Sequence, residues 1–172
     1  MEEERNWELS PRDVSPKVQS LLKEAFFWEL VNETSPFGGD FGADARVCFL
    51  MWREKNPEKN PMNFVLSEIE SYGLQSDYIQ VENEEELKSL FADSKLDPFA
   101  QDWIIIATAF TQFMIEERID EEMLKQAVIS VRRQSYSSVL EYWMSSVRET
   151  RVHKLDIMAK ALFQISLQQN DH

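Results

Sequence analysis

One segment governs what this chain can fold into: Trp103 to Ile115, reading WIIIATAFTQFMI, which is apolar apart from Thr108, Thr111 and Gln112. At about 13 residues it falls short of the roughly 20 that a membrane crossing needs. Asp97-Pro98 ahead of it is a capping residue followed by proline at the position that opens helices. A helix apolar on nearly every side must be enclosed by other elements. The rest of the chain therefore has to supply amphipathic pieces that surround it.

Those pieces are read from punctuation and period. Ser15-Pro16 opens a first helix, with Val18, Leu21, Leu22, Ala25 and Phe26 at helical spacing and Phe27, Trp28, Leu30 and Val31 widening the face. Ser35 to Gly42 gathers three of the four glycines into a tight loop. A second helix is expected from about Ala43 to Lys55, stopped by Asn56-Pro57, although its apolar run Val47 to Trp52 also fits a buried strand. Asn60-Pro61 starts a third, with Met62, Val65, Leu66, Ile69 and Tyr72 inward and Gly73 just past its end. Ser76 to Glu82 reads as an extended connection or a short strand. Asn83 and Glu86 resemble a capping box ahead of a short helix that turns Leu87, Leu90 and Phe91 inward. Asp120-Glu121-Glu122 place negative charge at the start of the next helix, whose buried positions are Leu124, Ala127, Val128 and Val131. Tyr136, Val139, Leu140, Trp143, Met144 and Val147 form the clearest amphipathic stripe. Leu155, Met158, Ala159, Leu162, Phe163 and Ser166 serve the last helix. The expected fold is all-α, a single domain of about seven or eight helices over residues 15–172, preceded by a mobile polar arm at 1–14.

Charge narrows the functional classes. Eighteen basic side chains stand against 31 acidic ones, a formal charge of −13, and the first hundred residues hold 21 of the acids. Their densest run is Asp77, Glu82, Glu84, Glu85, Glu86, Asp93 and Asp97 against Lys88 and Lys95, which would repel a phosphate backbone. Nucleic-acid binding is not expected. The basic residues Lys125, Arg132, Arg133, Arg148, Arg151, Lys154 and Lys160 read as a solvated face or as partners of the acidic half. Met1-Glu2-Glu3-Glu4-Arg5 is the reverse of a secretory start and no apolar run follows it, so a cytoplasmic location is expected and the sequon Asn32-Glu33-Thr34 reads as chance.

Chemistry-bearing motifs are few. One cysteine and two histidines make neither an internal disulfide nor a Cys/His zinc site, and no metal or cofactor is expected. Cys48 reads as a small buried hydrophobe, and His153, beside Arg151 and Lys154, as a surface residue. Gly38-Gly39-Asp40-Phe41 lacks the second acid and flanking strands of a metal-dependent nucleotide cyclase loop. Asp40-Phe41-Gly42 comes without the other kinase motifs, and no Gly-x-Ser-x-Gly elbow occurs. Asp40 and Asp44 have the spacing to share a hard cation or act as acid and base, but an aspartate at a helix start ordinarily serves as a cap. Glu116, Glu117, Glu121 and Glu122 bracket a helix junction and read as solvated.

Phe26-Phe27-Trp28, Ser35-Pro36-Phe37-Gly38, Asp40, Gly42-Ala43-Asp44, Trp52-Arg53 and Asn56-Pro57 together resemble the opening segment of YfeS-like bacterial proteins. The likeness spans about 35 residues, a fifth of the chain. It implies a bacterial cytoplasmic protein and carries over no catalytic residue. In physical terms the aromatics anchor the loop, the glycines permit its turn and the aspartates cap the following helix.

The reading leans away from catalysis, toward an acidic protein-binding domain of the immunity-protein or antitoxin kind. Asp77, Tyr78, Glu82, Glu84, Glu85 and Glu86 would meet a basic protein partner, with Ile79 and Trp7 as apolar contacts. The alternative is a small-ligand protein or enzyme built on the Pro36 to Asp44 loop, using Phe37, Asp40 and Asp44. A homodimer through Trp143 and Met144 is a third expectation.

Overall fold

The computed structural model describes residues 9–91 and 97–171, apart from the side chains of Tyr78 and Pro98. Among the described residues there are eight α-helices: α1 Pro16–Leu21, α2 Gly39–Lys55, α3 Pro61–Ser71, α4 Glu84–Leu90, α5 Pro98–Glu116, α6 Glu121–Gln134, α7 Ser137–Leu140 and α8 Ser145–Asn170. Single 3₁₀ turns occupy Pro11–Asp13, Ala25–Trp28 and Asp77–Gln80, and there is no strand among the described residues. The fold is all-α, as the periodicity predicts.

Helix α5 is the centre. Ile104, Ile105, Ile106, Ala107, Phe110 and Phe113 are fully buried in it, packed by α2, α3 and α6, with α8 lying on α6. Its two threonines fit this apolar setting because their hydroxyls donate back to the carbonyls of Ile104 and Ala107, each at 2.7 Å. Asp97 caps it by accepting from the amides of Phe99 and Ala100 at 3.0 Å. Ser15, Asn60 and Asn83 cap α1, α3 and α4 in the same way. Asn83→Ala should lower the stability by about 1 kcal/mol, read as a lower urea midpoint. An unchanged midpoint would mean that burial of Leu87 alone fixes α4.

Several expected elements differ, each for a local reason. The first helix stops at Leu21, because the carbonyl of Leu22 is taken by Trp28 Nε1 at 2.9 Å while the 3₁₀ turn buries Phe26 and Phe27 and leaves Val31 in solvent. Ser76 to Glu82 is neither strand nor extended connection. It holds a 3₁₀ turn whose neighbouring carbonyls, Ile79 and Val81, accept from Arg133 Nη1 at 2.7 and 2.9 Å, so no partner strand is needed. Val47 to Trp52 is helical and wraps its apolar run around the axis, with Phe49 and Leu50 inward and Met51 and Cys48 outward. The cysteine is therefore exposed, not a buried hydrophobe. In α6 the buried face is Met123, Gln126, Ala127, Ser130 and Val131, leaving Leu124 and Val128 at its margin.

The stripe from Tyr136 to Val147 is broken. Arg148 Nε donates to the carbonyls of Leu140 and Trp143 at 3.1 and 2.8 Å, holding a turn between α7 and α8. Val139 is buried, whereas Met144 and Val147 face solvent. In α8 the inward residues are Leu155, Met158, Ala161, Leu162 and Ile165, while Ala159 and Phe163 point away. Of the polar arm, residues 1–8, including Trp7, lie outside the described residues; Leu9 and Val14 rest against the core. Among the described residues no helix is long and apolar enough to cross a membrane.

Two buried arginines tie these helices together, and each grips a carboxylate through its Nε and Nη2. Arg133 and Asp102 are both fully buried, with Nε 3.1 Å from Oδ1 and Nη2 on the same oxygen. Arg53 places Nε on Glu116 Oε1 and Nη2 3.2 Å from Oε2. Glu116 is thus a held partner of α2, not a solvated acid. The basic run likewise is no uniform solvated face, since Arg133 and Arg151 both lie inside the protein.

Candidate functional site

The acidic residues expected to form a docking surface are largely occupied within the molecule. Glu82 lies 3.5 Å from Arg132 of α6, and Glu85 pairs with Lys88 at 2.9 Å. Glu84 accepts from the Ser138 amide at 3.0 Å and from Ser137 Oγ at 3.2 Å, bonds that hold its carboxyl below the usual range and fasten the start of α7. Asp77 and Glu86 are exposed, and the side chain of Tyr78 lies outside the described residues. Ile79, expected as a surface contact, is buried in the core.

A different place gathers unused chemistry. A cleft of about 410 Å³ opens between the start of α2 (Gly38, Gly39, Phe41), the start of α5 (Phe99, Trp103) and the α7–α8 turn (Tyr142, Trp143), with Glu33 and Arg151 of α8 completing its lining. This size and its mainly aromatic walls are those of a small-molecule site.

The loop before α2 shapes one side. Asn32 Oδ1 accepts from the amide and hydroxyl of Thr34, and buried Ser35 Oγ accepts from the Phe37 amide at 3.0 Å. Gly38 is pressed so closely to this loop that a Cβ would lie 2.4 Å from the Asn32 carbonyl oxygen. Gly39 has φ +72°, a left-handed conformation that glycine adopts freely. Helix α2 consequently begins at Gly39, earlier than the expected Ala43. Its cap, Gly38, has no side chain to accept from the first amides, so their partial positive charge lies uncapped beside the cleft.

That early start corrects the roles of the two aspartates. Asp40 and Asp44 fall inside α2 instead of capping it, both face solvent and neither lines the cleft. Asp44 sits near Glu68, Tyr72 and Cys48; burial first, then Glu68 and Asp44, pushes the Cys48 thiol up. Phe37 is fully buried behind the loop, with the Arg46 guanidinium 5.5 Å from its ring centre. Among the described residues no group of three His, Cys, Asp or Glu has the arrangement of a metal site.

The residue that sequence reasoning missed is Arg151. It is 2% exposed, its Cζ lies over the Trp143 ring at 3.6 Å and over the Trp103 ring at 5.2 Å, and Nη1 reaches the Glu33 carbonyl at 3.5 Å. Its Nε and Nη2 have no hydrogen-bond partner, and neither has Trp143 Nε1. Burial lowers the guanidinium pKa to about 10, with Glu33 opposing the shift. A signal was available in the sequence: Arg151 stands ahead of Leu155, Met158, Leu162 and Ile165 at spacings of four, seven, eleven and fourteen, which continues the apolar face of α8.

Comparisons with protein-family profiles, with curated proteins and with solved structures returned no match.

Proposed function

We propose that this protein binds a small organic ligand in the cleft between the start of α2, the start of α5 and the α7–α8 turn. One observation carries the reading: a guanidinium buried to 98% lines an aromatic cleft with two of its three nitrogens unpartnered. A buried charge normally has its hydrogen bonds made within the protein, because leaving them unmade costs the desolvation of the group. A site that carries this cost is suited to a ligand that completes it. The lining supplies groups that hold and orient, namely aromatic faces, one guanidinium and one carboxylate at the rim, and this favours binding over turnover. The site adjoins the Pro36 to Asp44 loop but works through Gly38, Gly39 and Phe41 instead of the aspartates.

The test is a titration of isotope-labelled protein with 2-naphthoate and with its neutral amide, following the indole N–H resonances. Saturable shifts of the Trp103 and Trp143 signals, with little change elsewhere, are the expected result. No site-specific shift with either compound would overturn the reading. A basic protein partner at exposed Asp77 and Glu86 would then be the better account of a chain with net charge −13.

A further inference from the structure

We infer that the ligand of this cleft is a carboxylate with a flat apolar body, its two oxygens taken by Nε and Nη2 of Arg151. The inference rests on the reading of the cleft as a ligand site and adds the chemical class. Three observations support it independently of one another.

The first is which atoms are free. Nε and Nη2 form one edge of the guanidinium, two roughly parallel donors whose spacing matches a carboxylate. In Arg133 and in Arg53 that same edge is filled by the carboxylates of Asp102 and Glu116. In Arg151 the remaining nitrogen, Nη1, already reaches the Glu33 carbonyl, and the edge stands empty. The second is the surrounding field. The 17-residue helix α2 starts at Gly39 on the cleft wall with no side-chain cap from Gly38, and the positive end of a helix favours an anion there. The third is the remaining lining. Phe41, Phe99, Trp103 and Trp143 line the cleft with aromatic surface suited to a flat apolar body, and Trp143 Nε1 is a further donor without a partner.

Among the described residues Glu33 is the acidic group close enough to Arg151 to oppose its pKa shift, and its carboxylate makes no bond to the guanidinium. Its charge weakens the binding of an anion at this place. The nitrogens are shielded from solvent and the Trp103 and Trp143 rings lie on the guanidinium, so these side chains must move aside when the ligand enters.

Calorimetric titration with 2-naphthoate and with 2-naphthamide separates the two levels of the argument. The acid should bind at least about tenfold more tightly than the amide, the scale of one charge-assisted bidentate contact. Glu33→Gln, a change at an exposed position, should widen that ratio. Arg151→Met should bring it to about one while the amide still binds. Equal affinity of acid and amide for the unaltered protein would remove the carboxylate inference and leave the cleft as a ligand site, whereas binding of neither would remove both. A Glu33→Gln protein that is destabilised and binds no acid more tightly would show Glu33 itself to be the counter-ion of Arg151, which also overturns the inference.

Discussion

Replacing Asp102 by alanine is expected to destabilise the protein by about 3–5 kcal/mol, the range found when one partner of a buried ion pair is removed. Both members of the Asp102–Arg133 pair are fully buried, so the orphaned guanidinium would have no water to turn to. The lesion reaches further than one contact. Asp102 also accepts from Gln134 Nε2 at 2.8 Å, while Arg133 donates to Ser130 Oγ at 3.3 Å and to the Ile79 and Val81 carbonyls. One ion pair therefore joins α5, α6 and the 3₁₀ turn. Urea unfolding should show a much lower midpoint at unchanged slope. Pairing Asp102→Leu with Arg133→Met should recover only part of the loss, because the two carbonyls still lack their donor. A loss below about 1 kcal/mol for Asp102→Ala would mean that water replaces the carboxylate and that the pair is not the joint described.

Arg151→Met should have the opposite sign and raise the stability by about 1–2 kcal/mol at pH 7. An unpartnered buried polar group costs about 1–3 kcal/mol, more when charged, and the stacking on Trp103 and Trp143 returns about 0.5–2 of it. Methionine keeps the apolar stem and removes the charge. Burial lowers the guanidinium pKa to about 10, so the folded state holds the proton less tightly than the unfolded chain. The destabilisation is therefore complete below about pH 10 and fades as the pH rises above it, in keeping with the sign of proton linkage. Chemical unfolding of both proteins at pH 7 measures the difference. A less stable Arg151→Met protein would show that the arginine is structural and that the cleft owes its charge to packing.

The contrast between these two arginines explains what the sequence could convey. Helix starts were legible because Ser15-Pro16, Asn60-Pro61, Asn83 and Asp97-Pro98 act through neighbouring backbone amides, an interaction confined to one turn. The central helix was legible from its apolar content alone. The break between α7 and α8 was not, since it depends on Arg148 reaching back to the carbonyls of Leu140 and Trp143. Composition placed Arg133 and Arg151 on a solvated basic face or opposite the acidic half, yet each continues the buried stripe of its helix. Whether such an arginine meets a carboxylate or an empty cleft is decided by elements far away in the chain, Asp102 in one case and Glu33, Trp103 and Trp143 in the other. The loop at Pro36 drew notice for its aspartates, but the cleft it frames is lined by Gly38, Gly39 and Phe41.

Cys48 gives the molecule a ready attachment point. It is the single thiol of the chain, it is exposed, and it lies on α2 seven residues beyond Phe41, about 10 Å along the helix axis. Partial burial and the nearby carboxylates of Glu68 and Asp44 push its pKa up, so coupling is slower than at an unshifted thiol and quickens as the pH rises. A dye joined at this one place rides on the same stiff rod whose first turn frames the cleft, and it would report a change there without any amino-acid substitution.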